Sequence, residues 1–427
     1  MFIRDKMAGL RGMEGASLRG PLLFLLGLGG LTGAATGPAF AAPETQPSGT
    51  AALQTLEQAL AQDAAEYARR EGVGQAEALS RLRFQEASTT STDALRAEFG
   101  GRIAGIAIEH QPDYRIVVLL TGTEGVPDRF IAAADMTVPI KFVTGATATH
   151  DRLVAALRQH QMAMRAVLSR SQGMGVDPRT GEIVVLVQAS DMDADQIFDK
   201  QLELSAMTGV PVRIRLINRE DVNLAVEGGS RVAGVDPRDG RRYACTTGFV
   251  VTDASRTGIV TAAHCPDDLT YIGPDGVEVP LSFVGEWGAT TQDVQVHVTG
   301  TSQKPEFYVD RERTQARALT SRRVRLSTRA GDIVCHRGES TGYSCSLVEL
   351  VDFAPPGSLC GGPCEPVWVT VAGPSCRGGD SGGPTFAATT AFGIVKGASY
   401  RRSGECNFYY YMSVDYLPEG WSLLLQQ

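Results

Sequence analysis

A serine near the end of the chain has the surroundings of a catalytic nucleophile. Ser381 follows Asp380 and precedes two glycines, within the segment Gly-Asp-Ser-Gly-Gly-Pro at residues 379–384. Glycines at these positions allow a sharp turn that pushes the hydroxyl outward, and they let backbone N–H groups face a cavity. A serine hydroxyl is a weak nucleophile by itself, so this interpretation requires a base elsewhere in the chain.

Two upstream segments supply the groups that such a serine needs. His264 lies in Thr-Ala-Ala-His-Cys at residues 261–265, and Asp293 lies in Gln-Asp-Val-Gln-Val at residues 292–296. The chain order His, Asp, Ser is that of chymotrypsin-type triads. The alternative is a turn serine and a core histidine that never meet. The agreement of two independent motifs in type and order disfavours it.

A second alternative is an esterase of the α/β-hydrolase type, because residues 379–383 also match the pattern Gly-x-Ser-x-Gly. Those enzymes place the acid and the histidine after the serine. No histidine follows Ser381 in this chain, so the sequence excludes that class.

The elements that would position the triad are short strands. From about residue 226, runs rich in β-branched and aromatic residues alternate with Gly, Pro and Asp clusters. The runs lie at 247–252, 258–261, 294–298, 323–327, 346–351, 367–371, 392–395 and 408–414. Such a pattern predicts an all-β sandwich or barrel. Residues 226–427 are long enough for two barrels, so we predict a triad assembled across the groove between them.

The preceding region, residues 42–225, has a different pattern. Apolar residues at helical spacing occupy 51–71, 75–87, 150–170 and 192–208, and strand-like runs occupy 103–109, 115–121, 183–187 and 210–217. This predicts an α+β unit with helices on a small antiparallel sheet. The histidines outside the motifs are predicted to be surface residues: His110, His150, His160, His297 and His336.

The N-terminus predicts a secretory signal peptide at residues 1–41. Basic residues precede an apolar stretch at 21–31, and Ala-Phe-Ala at 39–41 predicts cleavage after Ala41. A retained anchor is the alternative. Residues 42–50 are predicted to be a flexible lead-in, and no later segment predicts a transmembrane helix. The net charge of −8 argues against nucleic acid as a partner.

All eight cysteines follow residue 244. An even number of cysteines in an exported chain predicts a disulfide framework, although eight cysteines allow 105 pairings. A metal site at Cys360 and Cys364 is the weaker alternative, because an oxidising compartment favours disulfides.

Segments 245–251, 261–265, 342–345 and 378–384 together resemble the trypsin/chymotrypsin family of serine peptidases. Within it, residues 226–427 are similar to the secreted bacterial branch that includes alpha-lytic protease and the streptogrisins. Residues 45–225 resemble the pro-regions of that branch in size, position and strand–helix style, without a specific motif. The resemblance implies a pro-region that assists folding, inhibits the protease and is then removed.

The same resemblance implies a role for each motif residue. Ser381 is the nucleophile, His264 is the general base and then the acid, and Asp293 orients the imidazole. The N–H groups of Gly379 and Ser381 form the oxyanion hole, and Asp380 holds the nucleophile turn through a buried pair. The implied disulfides are Cys245–Cys265, Cys335–Cys345 and Cys376–Cys406, which leaves Cys360–Cys364 as a local loop.

The specificity pocket of the family lies just before the nucleophile turn and along the strand near residues 395–399. The predicted substrate-binding residues are therefore Ser375, Lys396, Gly397 and Ala398. Lys396 stands where the family often has a serine, and its side chain points either toward the site or to solvent. Because these stretches carry no acid, we predict a preference for an uncharged side chain, with Glu405 as the counter-argument.

We therefore predict a secreted serine endopeptidase made as a zymogen, with a signal peptide at 1–41, a pro-region at 42–225 and a two-β-barrel protease domain at 226–427. Maturation is expected between residues 218 and 231, where the pattern changes. The partners are a peptide or protein substrate and the pro-region itself, with no cofactor or metal and no membrane after signal cleavage. The alternative function is an inactive binding protein on the same scaffold, although the triad and the oxyanion glycine are all present.

Overall fold

The structure, a computed structural model, describes residues 51–168, 171–189, 192, 194–217, 222–223, 230–237, 240–373, 375–401 and 403–426. The predicted signal peptide, the predicted lead-in and most of the predicted maturation segment lie outside these residues. Residues 48–427 form one compact unit. Among the described residues, no helix is long and apolar enough to cross a membrane.

The N-terminal half combines helices and strands, as predicted. Its elements are β1 (Ala52–Gln54), α1 (Leu56–Glu71), α2 (Gln75–Ala87), α3 (Thr89–Glu98), β2 (Ile103–Glu109), β3 (Arg115–Thr121), β4 (Arg129–Ala133), β5 (Met136–Ala146), α4 (His150–Val167), β6 (Ser171–Asp177), β7 (Glu182–Gln188), α5 (Ala194–Thr208), β8 (Val212–Ile217) and β9 (Val222–Asn223). Local chemistry sets the bounds of α1. The Thr55 side chain accepts from the N–H of Gln58, and the helix ends at Gly72 with φ of +68°.

Strands β2 to β8 form two sheets instead of the single antiparallel sheet that was predicted. The first has the order β2-β3-β5-β4, and the second contains β6-β7-β8. The β3–β5 and β7–β8 pairs are parallel. In the second sheet the helix α5 connects β7 to β8, which lets the chain return in the same direction. Helix α4 packs Leu153 and Leu157 against this sheet at Val185.

The C-terminal half is built of strands, which confirms the all-β prediction. Its elements are β10 (Arg231–Val235), β11 (Arg242–Thr246), β12 (Val250–Thr252), β13 (Thr257–Thr261), β14 (Leu269–Ile272), β15 (Glu278–Pro280), β16 (Ser282–Trp287), β17 (Val294–Val298), β18 (Glu306–Tyr308), β19 (Gln315–Ala318), β20 (Ser321–Arg322), β21 (Ile333–Gly338), β22 (Gly342–Leu347), β23 (Asp352–Ala354), β24 (Val369–Ala372), β25 (Pro384–Ala387), β26 (Thr390–Tyr400), β27 (Cys406–Ser413) and β28 (Ser422–Leu423). Three short 3₁₀ turns lie at Arg325–Ser327, Gly357–Leu359 and Val414–Tyr416.

The strand order separates the motif residues into two groups. Strands β16-β17-β13-β12-β28 form one sheet, and β22-β21-β25-β26-β27-β24 form the path of another. In the first, β13 pairs with β17 so that Thr261 lies opposite Gln295. His264 comes three residues after Thr261, and Asp293 comes two before Gln295. The register therefore brings the histidine and the aspartate to the same end of the sheet, while Ser381 lies between β24 and β25.

Three strand pairings join the two halves of the chain. Strand β1 pairs in parallel with β19, β23 pairs antiparallel with β6, and β9 pairs antiparallel with β26. The N-terminal half thus contacts the C-terminal half at β-edges as well as through side chains.

The prediction that the other histidines are surface residues is wrong for three of them. His110, His297 and His336 are buried. Each has a polar partner inside the protein: Tyr67 for His110, Gln295 for His297 and Thr341 for His336. Burial lowers the pKa of both His297 and His336 to about 4, so both imidazoles are neutral near pH 7.

Candidate active site

The turn that carries Ser381 has a conformation that requires glycine. Gly379 has φ of +115° and Gly382 has φ of +82°, in the region that side chains with a Cβ rarely adopt. A Cβ on Gly382 would lie 2.3 Å from the carbonyl oxygen of Thr246. The end of β11 fixes the turn, because the N–H of Thr246 donates to the carbonyl of Ser381 at 2.7 Å and its hydroxyl donates to the carbonyl of Gly379 at 2.9 Å.

Asp380 holds the turn from inside, through hydrogen bonds. Its Oδ2 accepts from the Thr341 hydroxyl at 2.8 Å and from the N–H of Arg377 at 2.9 Å. The resemblance implied a buried pair. The nearby His336 lies 3.8 Å away and is neutral near pH 7, so its contact is not an ion pair at that pH. Burial raises the pKa of Asp380 to about 6 despite these hydrogen bonds.

His264, Asp293 and Ser381 lie in contact in the structure. The Nε2 of His264 lies 2.9 Å from the Oγ of Ser381, and its Nδ1 lies 2.8 Å from the Oδ2 of Asp293. The backbone N–H of His264 also donates to the Oδ1 of Asp293 at 3.2 Å. Three residues identified from separate segments thus form one continuous chain of hydrogen-bond partners.

The carboxylate of Asp293 is enclosed and charged. Its residue is 2% exposed. Burial alone would raise its pKa, but the charges of His264 and Lys396 outweigh burial and lower the pKa to about 2. The group is therefore ionised at neutral pH. An ionised acceptor at Nδ1 favours the tautomer in which Nε2 is free to accept the serine proton.

Lys396 lies beside this carboxylate and not in contact with solvent. Its residue is 1% exposed, and its Nζ lies 3.3 Å from the Oδ2 of Asp293. This excludes the solvent-facing alternative. The ammonium faces Asp293, and substrate binding by Lys396 stays a prediction.

The other predicted substrate contacts lie along β26 and before the nucleophile turn. Gly397 and Ala398 pair with Asn223 and Val222 of β9. Ser375 is half-buried. These three residues remain predicted substrate contacts, as do the Gly379 and Ser381 amides for the oxyanion hole.

The structure contains four disulfides, which are the three that the resemblance implied and the predicted local loop between the two remaining cysteines. They are Cys245–Cys265, Cys335–Cys345, Cys360–Cys364 and Cys376–Cys406. The first ties the residue after His264 to β11, the strand that also holds the nucleophile turn. The fourth joins the segment before Ser381 to β27. The disulfides therefore brace both sides of the site.

Sequence reasoning missed three contacts of the site. Trp368 lies with its ring 5.2 Å from the Nζ of Lys396, Thr341 binds Asp380, and Met412 accepts from the N–H of Asp293 through its sulfur at 3.2 Å. None of these three had a signal in the sequence, but the contact of Lys396 with Asp293 had one, because Lys396 is the single cation in the apolar run at residues 392–399. A lysine in a buried strand needs an anion nearby.

Comparison with known proteins gives distant relatives for the C-terminal half. No protein-family model matches the chain. Streptogrisin-C of Streptomyces griseus is 25% identical over 202 residues, which cover 42% of this chain and 38% of that protein. The chain thus spans well under half the length of that relative.

Solved structures of similar proteins match the same share of the chain. A glutamic acid specific serine protease, described as using a histidine triad in substrate binding, is 25% identical over 44% of this chain and 93% of its own, with a TM-score of 0.36. Protease A of Thermobifida fusca is 20% identical over 47% of this chain and 99% of its own, with a TM-score of 0.37. A Nocardiopsis protease is 22% identical over 47% of this chain and 98% of its own, with a TM-score of 0.35.

The predicted resemblance is thereby confirmed for the C-terminal half and not for the whole chain. The strand content, the disulfides and the similarity to streptogrisin-C agree with one another. Over about two-fifths of its length, the chain is distantly similar to streptogrisin-C, and its β-rich C-terminal half follows an α+β region.

Proposed function

We propose that the chain is a secreted serine endopeptidase, made as a zymogen, that hydrolyses peptide bonds through an acyl-enzyme. The observation that carries this proposal is the hydrogen-bonded chain from Ser381 through His264 to Asp293, with distances of 2.9 and 2.8 Å. Distances in this range allow direct proton transfer from the hydroxyl to the imidazole.

The proposed reaction follows from the positions of these groups. As Ser381 Oγ attacks the carbonyl carbon of the substrate, its proton moves to Nε2 of His264. Asp293 stays ionised and stabilises the imidazolium, and the amides of Gly379 and Ser381 bind the oxyanion. His264 then gives the proton to the leaving amine, and an acyl group remains on Ser381. Water, activated by the same imidazole, hydrolyses the ester and releases the acid.

Inhibition by the pro-region is part of the proposal. Strand β9 pairs antiparallel with Gly397 and Ala398, the backbone positions predicted to bind substrate. A segment of the chain therefore lies along the strand that an extended peptide would use, which supports a precursor that blocks its own cleft. Residues 222–223 fall inside the range 218–231 in which maturation is predicted.

Removal of the nucleophile tests the proposal. Ser381→Ala should lower kcat on the order of a million-fold, because loss of a triad nucleophile has that effect in serine proteases. The full-length precursor should then persist in an expression host where the wild-type chain matures. The measurement is peptide hydrolysis by the purified protein, with N-terminal sequencing of the wild-type product, which should begin between residues 218 and 231.

A matched control and two contrary outcomes complete this test. Ser255→Ala changes an exposed serine of the same half and should leave both activity and maturation intact. Activity near the wild-type level in Ser381→Ala would show that the triad is misassigned. A folded wild-type protein that binds peptides without cleaving them would favour the inactive binding protein.

A further inference from the structure

One carboxylate oxygen in the site contacts two cationic or protonatable groups. The Oδ2 of Asp293 lies 2.8 Å from Nδ1 of His264 and 3.3 Å from Nζ of Lys396. Lys396 is 1% exposed, and its ammonium lies 5.2 Å from the centre of the Trp368 ring. The lysine therefore reaches the carboxylate of Asp293 from β26, in a position that solvent does not reach.

This placement defines the charges that act on the pair. Burial lowers the pKa of Lys396, and the charge of Asp293 opposes this effect. Within the part of the chain that the structure describes, Asp293 is the charged group that acts on Lys396. In the same part of the chain, the charged or protonatable side chains in contact with the Asp293 carboxylate are His264 and Lys396. The indole of Trp368 also favours a cation at this place, through the electrons of its ring face.

We propose that Lys396 is a positioning residue of the triad, whose ammonium fixes Oδ2 of Asp293 and offsets part of its negative charge, so that this carboxylate stabilises the imidazolium of His264 less than an unshared carboxylate would. The inference rests on the proposed function, because it concerns the same triad. It assigns Lys396 no contact with substrate.

The physical reason is electrostatic competition. An ionised carboxylate stabilises the imidazolium, which inactivates the general base of the free enzyme at acidic pH. A fixed cation on the same oxygen weakens that stabilisation, and the effect is large in a site from which water is excluded. The cation also holds the carboxylate in place, so the tautomer of His264 remains the productive one.

The test is the pH dependence of kcat/KM for secreted enzyme made from the full chain. The profile is measured for wild type, Lys396→Met and Lys396→Arg, on one peptide substrate and normalised by active-site titration. We expect the acidic limb of Lys396→Met to move up by about one pH unit, which is about a tenfold loss of kcat/KM on that limb. Lys396→Arg keeps the cation and should retain the wild-type limb.

Lys304→Met is the matched control, because Lys304 lies in the same half, pairs with Glu306 and is exposed. This variant removes the same charge with the same change of side chain. The acidic limb of its kcat/KM profile should therefore coincide with that of wild type. If the limb of an active Lys396→Met enzyme also coincides with wild type, the proposal is overturned. A purely structural role would lower the amount of titratable enzyme without moving the limb.

Lys396→Ser gives a second test if the methionine variant does not fold, since it removes the charge with a smaller, polar side chain, and the same shift is expected. Loss of folded protein in both neutral variants, with rescue by arginine, would assign Lys396 a structural role and overturn the proposal. Failure of the proposed function is seen separately, as wild-type protein without Ser381-dependent hydrolysis. In that case NMR titration of His264 in a Ser381→Ala precursor, with and without Lys396→Met, still tests the inference by the same shift.

Discussion

At the scale of single residues, the charges near β26, the strand that carries the predicted substrate contacts, bear on which substrate side chain is preferred. The ammonium of Lys396 is engaged by Asp293, so it is not available to bind an acidic substrate side chain. Glu405, the acid that could attract a cationic side chain, is exposed and accepts a hydrogen bond from Ser403 at 3.1 Å. Ser375 is half-buried and uncharged. Nothing in this group offers a buried anion to a substrate cation.

We therefore expect cleavage after uncharged side chains in preference to Arg or Lys. A cation that enters a closed pocket loses hydration, which costs several kcal/mol unless an anion meets it. The measurement is kcat/KM on peptides that differ only at the residue before the cut. Glu405→Gln serves as the control and should leave the preference unchanged. Faster cleavage after Arg or Lys than after Phe, Leu and Ala, lost in Glu405→Gln, would show that Glu405 reaches the pocket.

The triad could be predicted from residue types and order, but the contact of Lys396 could not. Alternation of polar and apolar residues along a strand indicates to which side each side chain points only where one face of the strand is exposed. Strand β26 is buried from Thr390 through Ser399, so the pattern does not distinguish its two faces. His297 and His336 illustrate the same limit. His297 lies between Val296 and Val298 and His336 precedes Arg337, so their neighbours differ, yet tertiary packing buries both.

At the scale of elements, one strand of the protease half extends a sheet of the N-terminal half. Strand β23 pairs with β6 and so becomes the edge of the sheet β23-β6-β7-β8. The first residue of β23, Asp352, accepts hydrogen bonds on both carboxylate oxygens. Nε2 of His150 lies 2.6 Å from its Oδ2, and Nη1 of Arg325 lies 2.6 Å from its Oδ1. His150 begins α4, so this carboxylate links two elements of different halves.

The histidine in this link predicts a pH dependence of stability. Burial by itself lowers the pKa of His150, but the hydrogen bond and charge of Asp352 outweigh burial and raise the pKa above its usual 6.5. The stabilisation is therefore fully present below about pH 6.5 and is lost as the pH rises through the raised value.

We expect the free energy of unfolding of a Ser381→Ala precursor to fall by about 1.5 kcal/mol from this link as the pH rises from 6 to 9, the usual size of a hydrogen bond to a charged group. His150→Gln should lack that part of the decline, whereas His160→Gln on the same helix should keep it. Urea unfolding at several pH values measures both. An identical pH dependence in His150→Gln and wild type would remove His150 from the explanation.

Elements with strong local patterns could be predicted, whereas their arrangement could not. The strands Ile103–Glu109 and Arg115–Thr121 have the bounds that their sequence indicates. No element was predicted between residues 87 and 103, yet α3 begins at Thr89. Ser88 and Thr92 accept hydrogen bonds from the buried Arg329 of the protease half. That contact lies far away in sequence, so local propensity does not indicate it.

At the scale of the whole molecule, the two halves share buried charges. Asp63 on α1 is ion-paired with Arg317 of β19 at 2.9 Å, with side chains 2% and 0% exposed. The same carboxylate accepts from the Tyr343 hydroxyl and from the N–H of Ala388, both at 2.6 Å. Arg317 also donates to the carbonyl of Ala59. Most partners of this arginine belong to the N-terminal half, so its burial depends on that half.

Asp63→Asn should therefore destabilise the entire compact unit. It leaves the guanidinium of Arg317 buried without its anion, and breaking a buried pair costs about 3–5 kcal/mol. The measurement is the free energy of unfolding of the full-length Ser381→Ala precursor. Adding Arg317→Met to Asp63→Asn should recover part of that loss, with a coupling of about 2 kcal/mol in the double-mutant cycle.

An exposed ion pair between the same two halves supplies the control for this cycle. Arg158 on α4 contacts Glu365 of the protease half at 2.9 Å, with side chains 50% and 39% exposed. Glu365→Gln should cost less than about 1 kcal/mol, because solvent screens such pairs. If Asp63→Asn is no more costly than Glu365→Gln, or if the two changes at Asp63 and Arg317 add without coupling, the buried pair does not bind the halves together.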